Sequence, residues 1–124
     1  MIKTVFGEMT YSIGWKNDRE ISLFNRNYTI TVKLQAYKEE AELPIEQLRS
    51  CGLYIDHEKE MIASIEKLMN DFSANFDNRF IPKTLLIKRS GSIALLCDDV
   101  KNPDEGIAIC LFPEKCVMSQ DDYL

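Results

Sequence analysis

The chain is poor in the residues and motifs that enzymes commonly use. It has one histidine, His57, in 124 residues, and its five glycines are scattered. Neither a phosphate-binding loop nor a dinucleotide-binding fingerprint can therefore be assembled from the sequence. No side chain stands at a recognisable spacing from His57 for nucleophile activation or general base catalysis. These absences predict a non-enzymatic protein that needs no cofactor and acts by binding.

The cysteines show no metal-binding pattern. Cys51, Cys97, Cys110 and Cys116 are irregularly spaced, whereas a zinc site normally uses closely spaced pairs. Cys97 and Cys110 lie inside apolar, strand-like runs, which predicts buried, reduced thiols. Cys51 and Cys116 lie in less regular segments, and no basic residue has a motif-like relation to either. The sequence predicts no metal site.

The chain also lacks a long hydrophobic run and a basic charge balance. No apolar stretch approaches the roughly 20 residues of a membrane span, and the first eight residues are too short and too soon acidic for a signal peptide. A cytoplasmic location is therefore expected. The net charge of −5 and the pI of about 4.9 argue against nucleic-acid or anionic-membrane binding. An acidic protein suits a basic protein partner.

What the sequence does contain is the pattern of one α+β domain over residues 1–124. It predicts an antiparallel sheet of six to seven strands, formed by an N-terminal meander and C-terminal strands, packed with one long and one short central helix. The clearest strand alternates over residues 28–37, with Tyr28, Ile30 and Val32 on one face. Polar clusters predict turns at residues 16–19 and 25–27.

Two helices are expected in the middle of the chain. A short helix has Pro44 in its first turn, Ile45 and Leu48 facing inward, and Gly52 just past its end. A longer helix is capped by Asp56 and runs to about residue 76. Its apolar residues fall three or four positions apart, which indicates one buried stripe. The members of this stripe are Met61, Ile62, Ile65, Leu68, Met69, Phe72 and Phe76.

Acidic side chains form two candidate binding patches. One lies in the loop near residues 98–105, and the other lies on the polar face of the long helix. Paired acids in a polar loop admit three interpretations: solvated surface, a partner-binding patch, or a metal or catalytic site, although the loop lacks the spacing of a calcium-binding hand. Tyr37, on the wet face of its strand, is a candidate aromatic anchor. The candidate acids are Asp98, Asp99, Asp104 and Glu105 in the loop, and Glu58, Glu60 and Glu66 on the helix.

The order of segments resembles a family of small, acidic bacterial proteins. The matching features are Trp15 and the segments 21–24 (ISLF), 28–32 (YTITV), 44–47 (PIEQ), 82–87 (PKTLLI), 95–99 (LLCDD) and 106–113 (GIAICLFP). Such proteins are encoded beside polymorphic toxins, including contact-dependent growth inhibition systems, where they look like immunity proteins. The resemblance implies a tight complex with the C-terminal domain of a cognate toxin, often a basic nuclease.

The leading hypothesis is therefore an immunity or antitoxin-like protein that occludes the active site of its toxin. The acidic patches would supply charge complementarity, and Tyr37 a central anchor. Two alternatives stay open. One is a structural or regulatory module of unknown ligand that acts as a homodimer formed through a sheet edge. The other is a small hydrolase that uses converging carboxylates.

Overall fold

Eight strands form one sheet in this computed structural model, which describes residues 1–40, 42–72 and 79–124. The fold class is α+β, with three helices within the described residues. The spatial order of the strands follows the chain. In chain order the elements are β1 Ile2–Thr4, β2 Gly7–Tyr11, β3 Trp15–Leu23, β4 Arg26–Leu34, α1 Ile45–Asp56, α2 Glu58–Phe72, β5 Phe80–Ile87, β6 Ile93–Asp99, β7 Gly106–Phe112, β8 Cys116–Ser119 and α3 Gln120–Tyr123.

A parallel pair lies at the centre of the sheet. β4 pairs with β5 in parallel, from Thr31 beside Thr84 to Leu34 beside Ile87, whereas all other neighbouring strands are antiparallel. Parallel neighbours need a crossover connection, and α1 and α2 lie in that connection. Two antiparallel halves, β1–β4 and β5–β8, are thus joined side by side.

The main hydrophobic core lies between the two long helices and one face of the sheet. The alternation predicted for residues 28–37 is confirmed as far as Leu34, because Ile30, Val32 and Leu34 are buried in this core. The strand itself ends at Leu34, three residues before the predicted end. α1 contributes Cys51 and Tyr54. The remaining buried members from α2 and the C-terminal strands are Met61, Ile65, Met69, Phe80, Leu85, Ile87, Ile93, Leu95, Cys97, Ile107, Ile109 and Leu111.

The opposite face of the sheet, here called the outer face, differs between its two halves. Lys16 and Asp18 of β3 pair with Lys33 and Thr31 of β4, which makes the N-terminal half polar. The C-terminal half carries a second, smaller hydrophobic cluster. One member, Tyr123, comes from α3 and covers the strands. The other members are Leu86, Ala94, Ala108 and Cys110.

The first third of the sheet differs from the prediction in its turns. The predicted turn at residues 16–19 is wrong, because β3 runs unbroken from Trp15 to Leu23. Lys16, Asp18 and Glu20 lie on one face of this strand and form its more exposed side rather than a turn. Arg19 is half-buried on the other face. The chain reverses instead near Ile13, at φ 53°, and at Phe24 and Asn25, at φ 51° and 63°. With β8 in the C-terminal tail, the count becomes eight strands rather than six to seven.

The helices also differ from the prediction. α1 continues through Gly52 to Asp56, so Asp56 ends α1 and does not cap α2. The buried face of α1 contains Gln47, Ser50, Cys51 and Tyr54, whereas Ile45 is 56% exposed and Leu48 is 42% exposed. The predicted pair of one short and one long helix is not confirmed, since α1 has 12 residues and α2 has 15 within the described part of the chain. Of the predicted stripe, Phe72 is 49% exposed, and residue 76 lies outside the described residues.

Candidate binding surface

An ion pair braces the loop between β6 and β7. Arg79 Nε lies 3.1 Å from Asp99 Oδ1, and Arg79 Nη2 lies 3.0 Å from Asp99 Oδ2. Arg79 immediately precedes β5 and Asp99 ends β6, so the pair spans two adjacent strands at one end of the sheet. Two parallel N–H···O bonds fix the carboxylate in orientation as well as in position.

Asp99 also organises the backbone that follows it. Its Oδ1 accepts a hydrogen bond from the Lys101 N–H at 3.0 Å, and its carbonyl accepts one from the Asn102 N–H at 3.2 Å. The Glu105 N–H donates to the Asn102 carbonyl at 2.9 Å, which closes the loop. Because the Arg79 guanidinium stabilises the anion, the pKa of Asp99 is lowered to about 2.

The structure therefore gives Asp99 a different role from the other loop acids. Its side chain is buried and paired, so we correct its placement in a solvent-facing patch. Asp98, Asp104 and Glu105 are exposed, and none forms an ion pair with another described residue. Val100, in the same loop, is 49% exposed. We call the exposed group Asp98, Val100, Asp104 and Glu105 the acidic loop surface.

The acids of α2 have structural partners. Glu58 receives hydrogen bonds from Arg19 Nε at 2.8 Å and from Arg19 Nη2 at 2.7 Å, which lowers the pKa of Glu58. Burial, with the nearby Glu58 carboxylate, raises the pKa of Tyr54. Glu66 accepts the backbone N–H of Phe24 at 2.8 Å and so fixes the turn between β3 and β4. Glu60 alone among the three predicted acids of this helix is exposed, and it lies 4.0 Å from His57 Nδ1.

The predicted aromatic anchor lies away from the acidic loop surface. Tyr37 is 80% exposed and lies three residues after Leu34, the last residue of β4, which pairs with Ile87 of β5. Asp98 pairs with Ile81, six positions earlier in β5. Six strand residues span about 20 Å, so Tyr37 and Asp98 lie towards opposite ends of the sheet. The structure does not bring Tyr37 together with the acids.

Sequence reasoning missed Arg79 and a groove beside α1. Arg79 stands alone in sequence, 20 residues before Asp99, and only the strand pairing brings them together. The groove has a volume of about 410 Å³ and is lined by side chains of α1, including Arg49 and Leu53, together with Gly91 and Phe112. No periodic signal in the sequence indicates it.

Comparison with protein-family models, with curated sequences and with solved structures gave no match. Within residues 1–40, 42–72 and 79–124, no three His, Cys, Asp or Glu side chains come together as a metal site would require. The described helices are also each too short or too polar to cross a membrane.

Proposed function

We propose that this protein is an immunity protein that neutralises a bacterial toxin domain, a basic nuclease, by covering its active site. The acidic loop surface would be the main contact. The observation that carries the proposal is the bracing of this loop by Arg79 and Asp99. A loop held in one conformation loses less entropy on binding than a mobile one, so its exposed carboxylates are prepared for a partner.

The charges suit a nuclease because its substrate is a polyanion. Asp98, Asp104 and Glu105 would occupy the positions of substrate phosphates among the Lys and Arg side chains of the toxin. Val100, which is 49% exposed beside them, offers an apolar contact that water would leave on binding. The net charge of −5 adds long-range attraction to a basic cleft and raises the association rate.

The α2 surface is the weaker candidate for the interface. Glu58 is engaged by Arg19, and Glu66 is engaged by the Phe24 backbone. Their lone pairs are partly used inside the fold, so a partner would gain less from them. Glu60 remains available. Tyr37 would serve only a contact at the other end of the sheet.

A binding and rescue experiment tests the function. The full chain is co-expressed with the C-terminal toxin domain encoded immediately upstream, and growth rescue and complex formation are measured. We expect rescue and a tight complex whose association slows with salt. Absence of both would refute the proposal.

Two charge-reversal variants then locate the contact. Asp104→Lys/Glu105→Lys changes the acidic loop surface, and Glu60→Lys/Asp71→Lys makes the same charge change at exposed positions of α2. We expect the first variant to slow association by about tenfold at low salt and the second to have a much smaller effect. The reverse order would move the interface to α2. Equal, small effects would remove both acidic surfaces from the interface.

One observation favours a second candidate, a homodimer through a sheet edge. All four residues of β8 are half-buried, and β8 has a strand neighbour, β7, on one side only within the described sheet. An open edge can pair with a second copy. A mass in sedimentation equilibrium that rises with concentration, without rescue of a toxin, would favour this reading.

A further inference from the structure

Two thiols face each other across the last pair of strands. Cys110 of β7 pairs directly with Cys116 of β8, and the Cys116 thiol is close enough to contribute to the raised pKa of Cys110. Directly opposed residues of antiparallel strands have Cα atoms about 4.5–5.5 Å apart and side chains on one face. Disulfides form across Cα separations of about 4.4–6.8 Å. The backbone therefore already holds the two cysteines at bonding range.

The two thiols differ in accessibility. Cys110 is 5% exposed, whereas Cys116 is half-buried. Both line a pocket of about 160 Å³ with Met118 and Tyr123. Tyr123 belongs to the same hydrophobic cluster as Cys110, and its hydroxyl lies 2.6 Å from Ser92 Oγ. A small reagent that enters the pocket thus reaches Cys116 first.

The electrostatic surroundings agree with this order. Burial, followed by the nearby Cys116 thiol, raises the pKa of Cys110 to about 12. The charged groups that act on Cys110 are Lys88, which opposes the shift, and Glu114, which adds to it. The Lys88 ammonium lies 3.9 Å from the centre of the Tyr123 ring. Cys110 is therefore a poor first nucleophile, because the thiolate is the reactive form.

We propose that Cys110 and Cys116 form a two-cysteine exchange site that reacts with a low-molecular-weight disulfide and closes into an intramolecular disulfide. The Cys116 thiolate attacks one sulfur of the small disulfide and expels one small thiolate. Cys110 then loses its proton and attacks Cys116 Sγ, which breaks the mixed disulfide and expels the second small thiolate. The protein loses two protons and two electrons, and the small disulfide is reduced to two thiols.

The bridge would tie edge strand β8 to β7. It would also fix the chain leading into α3, because β8 directly precedes α3. The site is separate from the acidic loop surface. Cys110 lies four positions beyond Gly106, in the second half of β7, which corresponds to about 13 Å of strand. The proposed exchange site can therefore be tested independently of the proposed toxin contact.

The test uses the native full chain in glutathione redox buffers, with oxidised glutathione as the small disulfide. After an acid quench and alkylation of free thiols, intact mass is measured. We expect loss of two hydrogen atoms and protection of two of the four cysteines from alkylation. Trypsin cleaves after Lys115, between the two cysteines, so the bridge should join two tryptic peptides. This peptide readout needs no variant.

Single substitutions test the order of attack. Cys110→Ser should retain a stable glutathione adduct on Cys116, since no resolving thiol remains. Cys116→Ser should stay reduced under the same buffer, and Cys51→Ala, changed on the other side of the sheet, should still form the bridge. A lasting adduct on the wild-type chain, a disulfide-linked dimer, or no reaction in oxidised glutathione would each overturn the proposal.

Discussion

The side chain of Gln47 in α1 donates a 2.9 Å hydrogen bond to the carbonyl of Ile87 at the end of β5. The same Nε2 donates to the Gln35 carbonyl at 3.0 Å, and the Gln35 N–H donates to Ile87 O at 3.0 Å. Gln47 is fully buried. It thereby joins the start of the helical crossover to the ends of the two parallel strands, and satisfies a carbonyl that the sheet leaves open.

Replacing Gln47 with leucine should destabilise the protein. Gln47→Leu leaves the part-buried Gln35 carbonyl without this donor and removes one donor from the buried Ile87 carbonyl, at a cost of about 1–3 kcal/mol in the free energy of unfolding. The cost is reduced because Gln47 Oε1 has no hydrogen-bond partner among the described residues. Urea unfolding measures the change in the free energy of unfolding. Arg49→Leu, at an exposed position of the same helix, is the control and should change stability by less than about 0.5 kcal/mol. Equal midpoints for the two variants would contradict the bridging role.

The Arg79–Asp99 pair predicts a pH dependence of stability. The folded pKa of Asp99, about 2, lies below the value of roughly 3.9 of an unfolded aspartate. The unfolded chain therefore binds more protons between these values, and the contribution of Asp99 rises with pH there. It is fully present above about pH 4 and is lost as the pH falls through about 2.

Asp99→Asn isolates this contribution. The stability difference between wild type and variant should be largest near neutral pH and should shrink below about pH 4. Hydrogen exchange at the Lys101 amide should also become faster, since this amide donates to Asp99 Oδ1. Asp98→Asn changes the net charge equally at an exposed neighbour and serves as the control. A wild-type–variant difference that stays constant from pH 7 to pH 2 would refute the assigned role.

The sequence predicted those parts of the fold that depend on local alternation. Ile30 and Val32 are buried as their period-two pattern requires, and residues 106–112 form the predicted strand. The prediction failed in α1, where a local helix-ending residue competed with contacts to distant parts of the chain. Gly52 reads as a helix end, yet α1 continues through it and turns a different set of side chains inward, including the polar Gln47. Burial of a glutamine depends on carbonyls 12 and 40 residues away.

The candidate sites were less predictable than the fold. Asp98 and Asp99 are adjacent acids in sequence, but strand alternation exposes the first and buries the second beside Arg79. Cys110 and Cys116 appear irregularly spaced until the β7–β8 register places them opposite each other. Both distinctions depend on strand pairing, which composition and spacing do not determine.

We expect two glycines to respond oppositely to the same substitution. Gly91, in the turn between β5 and β6, has φ +96°, and an added Cβ would lie 3.0 Å from both Glu46 O and Ser50 Oγ. Gly91→Ala should therefore cost about 1–3 kcal/mol, through backbone strain and crowding against α1. Gly52 lies inside α1, and an added Cβ there meets nothing within 4 Å.

Gly52→Ala should accordingly stabilise the protein by about 0.5–1 kcal/mol, because alanine restricts the unfolded chain and suits a helix interior. Urea unfolding of the two variants provides the comparison, with each acting as the control for the other. The opposite signs arise from the backbone conformation and the surroundings of each glycine, since both changes add one methyl group. A loss of stability in Gly52→Ala would show that α1 ends at Gly52, as the sequence pattern indicates, and that the helix face containing Gln47 and Tyr54 is not continuous.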